Sequence, residues 1–122
     1  MIIRVPMKRW NSGQTGVDQG DIQLFADYVD DGPMWTGSGQ REIRREVKFS
    51  GRFKSEPLVH VNLSLLDLDQ STNTRVEIVA EDITNQGFDL VFRTWGDTRI
   101  ARVRAAWFAI GDMPNHDDWD ID

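Results

Sequence analysis

Few side chains in this 122-residue sequence could act chemically on a substrate. The chain has no cysteine and two histidines, His60 in an alternating hydrophobic run and His116 in an acidic C-terminal stretch. No Ser or Thr has the sequence context of an activated nucleophile. Asp67 and Asp69 share one face of a predicted strand, as two glycosidase acids would, but aspartates at a strand end commonly bond their own backbone in a turn. The sequence therefore predicts a protein that is not an enzyme.

The best match to a metal-binding motif is DLDQSTN, residues 67–73. Its side-chain oxygens fall at positions one, three, five and seven, as at the start of a calcium-binding loop. However, Thr72 stands where such a loop needs glycine, and Ile78 stands where it needs a bidentate glutamate. We predict no metal and no cofactor, and we keep Asp67 and Asp69 as the residues that an ion would use.

Arginine and glutamate recur at strand-like spacing. Arg102 and Arg104 are two apart and so share a strand face, while Glu77 and Arg93 occupy polar positions of neighbouring segments. One interpretation is an exposed sheet laced with charges, in which each pair contributes little. The other is a seam between subunits, where guanidinium groups match carboxylates of another chain. These four residues form the predicted subunit-interface set.

The segment TWGDT, residues 94–98, combines an aromatic side chain with small polar groups. Trp107 belongs to an apolar run and is predicted to lie in the core, whereas Trp95 ends a strand beside Gly96 and Asp97. An exposed indole next to polar groups suits a sugar, because the ring stacks on the apolar face of a pyranose while polar groups bind its hydroxyls. The alternative is that Trp95 is a packing residue.

These residues must be positioned by strands, because the hydrophobic pattern has period two throughout. Val59, Val61, Leu63 and Leu65 alternate with polar residues, as expected for a strand with one buried face. Six such segments, without intervening helices, predict an all-β fold, a six-stranded antiparallel β-sandwich. The segments are IQLFADYV, EIRREVKFS, EPLVHVNLSLLDLD, TRVEIVAEDI, FDLVFRTW and RIARVRAAWFAI.

Turn residues separate these strands. Residues 85–87, NQG, predict a hairpin between the fourth and fifth strands, with Gly87 able to take a positive φ. The link DQSTNT between the third and fourth strands is predicted to be another tight polar turn. Residues 30–41, with three glycines and a proline, are predicted to be a loop.

Charge and composition limit the class of partner. Twenty acidic and fourteen basic residues give a net charge of −6, which disfavours nucleic acid and anionic lipid. The chain has no run of eighteen apolar residues, and its start is interrupted by Arg4 and Pro6. We expect a soluble chain without a signal peptide or membrane insertion. Its location is unknown, with export by an unconventional route or residence on an extracellular or phage particle as the options.

Several segments in combination resemble the H-type lectin domain, the family of the snail agglutinins and of the discoidin C-terminal domain. The resemblance covers about residues 20–111 and is carried by strand-Leu-Asp, Asn-x-Arg, Gly-Phe, Thr-Trp-x-Asp-Thr and Trp-x-Ala-Ile motifs. It implies a β-sandwich that assembles as a homotrimer, or as a pair of trimers. It also implies binding of galactose or N-acetylgalactosamine in clefts between neighbouring subunits, which favours the seam interpretation of Arg102 and Arg104.

The resemblance carries over residue by residue only in part. It assigns sugar-hydroxyl binding to Arg75 and the aromatic wall to Trp95. The agglutinins have a His, an acidic residue and an aromatic residue where this chain has Gly96, Ser38 and Ala101. We expect the loop at residues 36–40 to complete the cleft with its backbone and hydroxyls. The predicted sugar-binding set is Arg75, Trp95, Gly96, Asp97, Ser38 and Thr36.

The predicted function is therefore that of a multivalent lectin whose partners are glycans and further copies of itself. The alternative is a structural or adhesion module of a phage or secreted assembly that keeps the trimer but not the sugar site. The predicted organisation has an N-terminal segment at 1–19, acting as an edge strand or subunit contact. The lectin-like sandwich follows at 20–111, and an acidic tail at 112–122.

Overall fold

The computed structural model describes residues 1–11 and 13–115, and over these residues it has six strands and one short helix. All strand pairs are antiparallel and form two three-stranded sheets: sheet I with the order β1-β6-β3 and sheet II with the order β2-β5-β4. The predicted all-β sandwich is confirmed. The elements are β1 Thr15–Phe25, α1 Pro33–Thr36, β2 Arg41–Lys48, β3 Leu58–Leu68, β4 Val76–Glu81, β5 Gly87–Thr94 and β6 Ile100–Asp112.

The core lies between the inner faces of the two sheets. The central strand β6 contributes Trp107, which is 8% exposed and meets Phe88 of β5 edge-on, with ring centroids 5.4 Å apart. Small residues make room for the indole: a Cβ on Gly20 of β1 would lie 2.6 Å from Trp107 Nε1. The alternating residues predicted for the core of β4 and β5 all pack in or against this cluster, namely Val76, Ile78, Ala80, Phe88, Leu90 and Phe92.

Strand β3 departs from the strict alternation that its sequence indicates. Its register against β6 shifts between Leu63 and Leu65, so that Leu63 is opposite Ala105 and Leu65 is opposite Arg104. Val59, Val61 and Leu63 pack against the core as predicted. Leu65 does not, because the extra residue at the bulge moves it onto the outer face of sheet I together with Arg104.

Both predicted turns are present, but only one of them forms a hairpin. Strands β4 and β5 pair as a hairpin across residues 82–86. Its positive φ is at Asp82, at 52°, and Gly87 instead permits a close approach to the carbonyl of Val47, where a Cβ would clash. The link between β3 and β4 is not a hairpin turn, because β3 belongs to sheet I and β4 to sheet II.

The two ends of the sandwich differ in what they carry. Strand β6 begins beside the turn at residues 95–99, here called the tip, and ends at Asp112, which pairs with Thr15 at the far end. Strand β1 begins at Thr15, so the sandwich starts before residue 20, its predicted first residue. Residues 116–122, most of the predicted tail with His116, are outside the described part. Within the described part, no helix has the length and apolar character needed to cross a membrane.

Candidate functional site

The strand register builds the candidate site at the tip of sheet II. Thr94 of β5 is paired with Arg41 on β2 and with Val76 on β4. One residue further, Trp95 and Arg75 therefore both face the outer side of the sheet, since side chains alternate along a strand. Trp95 is 40% exposed, so it belongs to the surface and not to the core.

Two buried threonines fix the backbone that carries Arg75. The hydroxyl of Thr94 donates to the carbonyl of Arg75 at 2.6 Å, and the amide of Arg75 donates to Thr98 Oγ1 at 3.1 Å. Thr98 is fully buried, and its hydroxyl in turn donates to the carbonyl of Asn73. The two threonines of the Thr-Trp-Gly-Asp-Thr motif thus have a structural role. Trp95, Gly96 and Asp97, which lie between them, remain available to face a ligand.

The carboxylate of Asp97 is the acceptor next to the Arg75 guanidinium. Arg75 Nη1 lies 3.2 Å from Asp97 Oδ1, and both side chains are about half exposed, at 41% and 54%. The backbone amide and side-chain amide of Asn73 also donate to Asp97, at 3.3–3.4 Å. The backbone hydrogen bond from Asn73 is the largest cause that lowers the pKa of Asp97, and the Arg75 charge adds to it. The site therefore presents an ionised carboxylate beside a guanidinium.

Gly96 allows these two groups to meet. It has a φ of 70°, in the left-handed region, and an added Cβ would lie 3.4 Å from Arg75 Cδ. Its carbonyl accepts from the amide of Gly39, at 2.9 Å, and from Arg41 Nη2, at 3.3 Å. Gly96 thus connects the tip to the loop before β2.

Arg41 holds that loop in place. Besides Gly96, its guanidinium donates to the carbonyls of Gly39, Pro33 and Met34 at 3.0–3.4 Å. Partial burial lowers the pKa of Arg41, which nevertheless remains a cation. Sequence reasoning missed this residue, because nothing in the spacing of Arg41 distinguishes it from the other arginines of β2.

Thr36 and Ser38, the loop residues predicted to bind sugar, belong to the loop that Gly39 joins to the tip. The hydroxyl of Thr36 donates back to the carbonyls of Asp31 and Gly32, at 3.2 and 3.1 Å, so it is used within its own loop. Ser38 is exposed and precedes Gly39, whose amide bonds the tip. The loop also contains the helical turn α1, within the segment predicted to be irregular.

The predicted interface residues Glu77 and Arg93 lie directly below the tip on the outer face of sheet II. They pair in register, with Arg93 Nη1 2.9 Å from Glu77 Oε1, and Arg93 also bonds Glu42 and Glu81 at 2.8 and 2.9 Å. Between this row and Trp95 runs an open groove of about 580 Å³. It is lined by Gln40, Arg41, Glu42, Glu77, Arg93, Thr94 and Trp95.

Arg102 and Arg104, the other two predicted interface residues, lie on the opposite side of the sandwich. Arg102 Nε is 3.1 Å from Asp67 Oδ2, and Arg104 Nε is 3.8 Å from Asp21 Oδ1, all on the outer face of sheet I. The structure therefore does not bring the four predicted interface residues together. The alternation of side chains indicated which residues of a strand face the core and which face outward. It could not indicate which sheet each strand joins.

Asp67 and Asp69, the candidate metal ligands, have different partners. Asp67 pairs with Arg102, whereas Asp69 accepts from Ser71 and from Arg99 Nη1 at 3.0 Å. Hydrogen bonds from Ser71 are the main cause that lowers the pKa of Asp69. No cluster of three potential metal-binding side chains occurs among residues 1–11 and 13–115. His60, likewise on sheet I, stacks on Phe108, with centroids 5.2 Å apart.

Comparison with known proteins identifies the family. A family model described as the H-type lectin domain matches residues 44–110, more than half of the chain. One of the discoidin-1 chains of Dictyostelium discoideum is 38% identical over 97 residues, which are 79% of this chain and 38% of that protein. The chain belongs to the H-type lectin domain family, and it is a carbohydrate-binding lectin module. The H-type lectin domain and the discoidin-like fold both indicate a binding module and not an enzyme.

Two further relatives extend the comparison. A protein of Fuscovulum blasticum, named ATP synthase subunits region ORF 7, is 55% identical over 107 residues, 88% of this chain and 93% of that protein. The native structure of recombinant discoidin II of D. discoideum superposes with a TM-score of 0.69 and 28% identity, over 91% of this chain and 41% of that chain. This chain thus spans about two fifths of the length of the discoidins that it matches.

Proposed function

We propose that the tip of sheet II binds a galactose-type sugar. The observation that carries this proposal is the half-exposed Arg75–Asp97 ion pair, whose aspartate follows the half-exposed Trp95 by two residues in the same turn. Trp95 offers an apolar surface for the C–H face of a pyranose. Arg75 donates and Asp97 accepts, so two neighbouring sugar hydroxyls find complementary partners side by side.

Selectivity follows from the fixed orientation of this donor and acceptor. A hydroxyl of the wrong epimer would leave a polar group of the site unpaired, and such a loss discriminates more strongly than an extra apolar contact. Ser38 stands where the agglutinins have an acidic residue, and Asp97 supplies a carboxylate to the site instead. The groove below Trp95 adds Gln40, Glu42 and Glu77, which offer further acceptors to a substituent or to a second sugar residue.

We further propose that the chain acts as a homotrimer, with each sugar held in a cleft between two subunits. The site stands on the outer face of sheet II, so a neighbouring subunit that completes the cleft must approach that face. Glu77 and Arg93 are the interface residues closest to such a seam, and Arg102 and Arg104 face away from it. Presenting several sites on one rigid body raises the overall affinity by about 10² to 10⁴ without new contacts.

A glycan array, followed by calorimetry with galactose, N-acetylgalactosamine and glucose, tests this function. We expect binding of the galactose-type sugars to be abolished in Arg75→Ala and retained in Arg102→Ala. The second variant is a matched control, because it removes an equally charged, equally exposed arginine from the opposite sheet. Sedimentation reports whether each variant keeps its oligomeric state.

Two results would overturn the proposal. The first is that a folded trimer binds no glycan on the array. The remaining function would then be that of a structural or adhesion module. The second is equal loss of binding in both arginine variants, which would mean that charge in general, and not the tip, supports binding. A monomer in sedimentation would refute the seam between subunits, whatever the array shows.

A further inference from the structure

The outer face of sheet I carries an uncovered apolar patch at the far end of the sandwich. Val17, Ile110 and Leu58 lie side by side on β1, β6 and β3, and Phe108 is in the next outward-facing row with His60. Val17 is 67% exposed, Leu58 40% and Phe108 45%. Exposed apolar groups gathered in this way mark a contact surface.

A trough crosses the same face next to the patch. It has a volume of about 590 Å³ and is lined in part by Gln19, Asp21, His60, Asn62, Ala106 and Phe108. The row Asp21–Ala106–Asn62 consists of short side chains, whereas the stacked rings of His60 and Phe108 stand higher on one side.

The N-terminal segment of the chain, residues 1–10 and here called the arm, is a second uncovered apolar element. Ile3, Val5 and Met7 are 75%, 80% and 78% exposed. They alternate with Arg4 and Pro6, so an extended arm has one apolar side. None of the three belongs to the hydrophobic core cluster of the described residues.

Charge favours a contact between the arm and the sandwich. The arm contains Arg4, Lys8 and Arg9 and no acidic residue, a charge of +3. With a chain total of −6, the other 112 residues carry −6 − (+3) = −9. Two exposed acidic residues are near the patch in sequence: Asp21 on β1, whose Oδ1 is 3.8 Å from Arg104 Nε, and Glu56, two residues before Leu58. The net charge of the basic arm is therefore opposite to that of the rest of the chain.

The arm also leaves the sandwich at the right end. It joins β1 near Thr15, opposite Asp112, which is the end that bears the patch. Gly13 has a φ of 89° with open space around it, which lets the chain change direction there.

We propose that the arm of one copy docks on the patch and trough of a second copy, and that the second copy returns the same contact. Reciprocal exchange of identical elements is a low-cost route to assembly. It joins copies at their far ends and leaves the tips pointing away from each other. This contact uses sheet I, so it is independent of the seam on sheet II and of sugar binding.

Single cysteines test the exchange, because the chain has none of its own. One sample carries Val5→Cys and an isotope-labelled sample carries Phe108→Cys, and the two are mixed under mild oxidation. We expect a mixed disulfide that joins one labelled and one unlabelled chain. Pairing Val5→Cys with Ser38→Cys, in the loop beside the tip, is the control and should give at least tenfold less cross-linking.

Two results contradict the exchange. One is a mixed yield no higher than that of the Ser38→Cys control. The other is efficient cross-linking only within a single chain that carries both Val5→Cys and Phe108→Cys, which would mean that each arm covers its own patch. Sedimentation adds a second measurement: Val5→Asp should weaken far-end association at least tenfold, whereas Val29→Asp, at a valine 71% exposed, should not change it. Equal effects of the two substitutions would also refute the proposal.

Discussion

Arg75 and Asp97 face each other at the tip, with Nη1 3.2 Å from Oδ1, and the amides of Asn73 hold the carboxylate from the other side. This arrangement makes the ion pair part of the binding surface, since both side chains remain about half open to solvent. It also makes the proposed site dependent on the charge of one aspartate.

The first prediction concerns pH. Hydrogen bonds from Asn73 lower the pKa of Asp97 from 3.8, so the carboxylate stays mostly ionised at pH 3.8 and is lost only as pH falls through the lower, folded-state value. Sugar affinity measured by calorimetry should therefore be constant from pH 7 to about pH 4.5. Asp97→Asn should bind about tenfold more weakly at pH 7, because an amide forms a weaker hydrogen bond with Arg75 than a carboxylate.

Arg102→Ala is again the control, since its sugar affinity should match that of the native chain at every pH. A decline in affinity between about pH 7 and 5 would contradict the prediction, because only a histidine normally titrates there. Such a curve would mean that a group other than Asp97 controls the affinity.

Gly96 gives a second prediction. With φ at 70°, alanine here must adopt a left-handed conformation, which costs about 1–2 kcal/mol. Its Cβ would also enter van der Waals contact with the Arg75 side chain, 3.4 Å from Cδ. Gly96→Ala should lower the free energy of unfolding by about that amount in urea titration and should weaken sugar binding.

Gly96→Asn separates the two causes. Asparagine tolerates the left-handed region better than alanine, so its loss of stability should be smaller, while its Cβ still approaches Arg75. If both variants are as stable as the native protein and bind sugar equally well, neither the backbone strain nor the contact with Arg75 matters at this position.

A third prediction concerns the ion pairs of sheet II. Arg93 bonds Glu81 of β4 and Glu42 of β2, so it connects all three strands. Hydrogen bonds from Arg93 and Arg44 lower the pKa of Glu81 from 4.5, so this stabilisation is present above pH 4.5 and is lost as pH falls through the folded-state pKa. Arg93→Ala should lower the urea midpoint at pH 7, and the difference from the native chain should shrink below pH 4.

Glu46→Gln is a useful control for this experiment, because it removes one carboxylate from the same face without touching Arg93. Its Lys48 partner, at 3.3 Å, belongs to an exposed pair. The control should leave the urea midpoint nearly unchanged. A difference between native and Arg93→Ala that is independent of pH would instead indicate lost packing of the arginine stem.

Much of this fold could be predicted, because burial imposes period two on a strand whatever its neighbours are. That reasoning found all six strands and the core positions of β4 and β5. It could not foresee the bulge near Leu65, since an inserted residue changes the phase without changing the composition. It also could not assign strands to sheets, which is why residues of opposite faces were grouped in one predicted interface.

The site was predictable where a motif carried it and not elsewhere. Trp95 was singled out by its place in the TWGDT segment and Arg75 by the family resemblance, and the strand register adds that their neighbours Thr94 and Val76 are paired. Arg41 left no signal, because its role depends on backbone carbonyl groups, one of them in the distant Gly96. Asn73 is likewise separated from Asp97 by 24 positions, and sequence spacing alone cannot show such a contact.

The last prediction tests how tightly Trp107 fixes the pairing of β1 with β6. A Cβ on Gly20 would lie 2.6 Å from Trp107 Nε1, and the indole cannot retreat easily because Phe49 and Phe88 pack against it. Gly20→Ala should therefore destabilise the fold by about 1–3 kcal/mol, the usual cost of overpacking a core. Gly51→Ala is the matched control, since a Cβ there meets nothing within 4 Å. Its stability in urea should stay within about 0.5 kcal/mol of the native value. Equal midpoints for the two variants would mean that the indole shifts freely and that Gly20 is not required for packing.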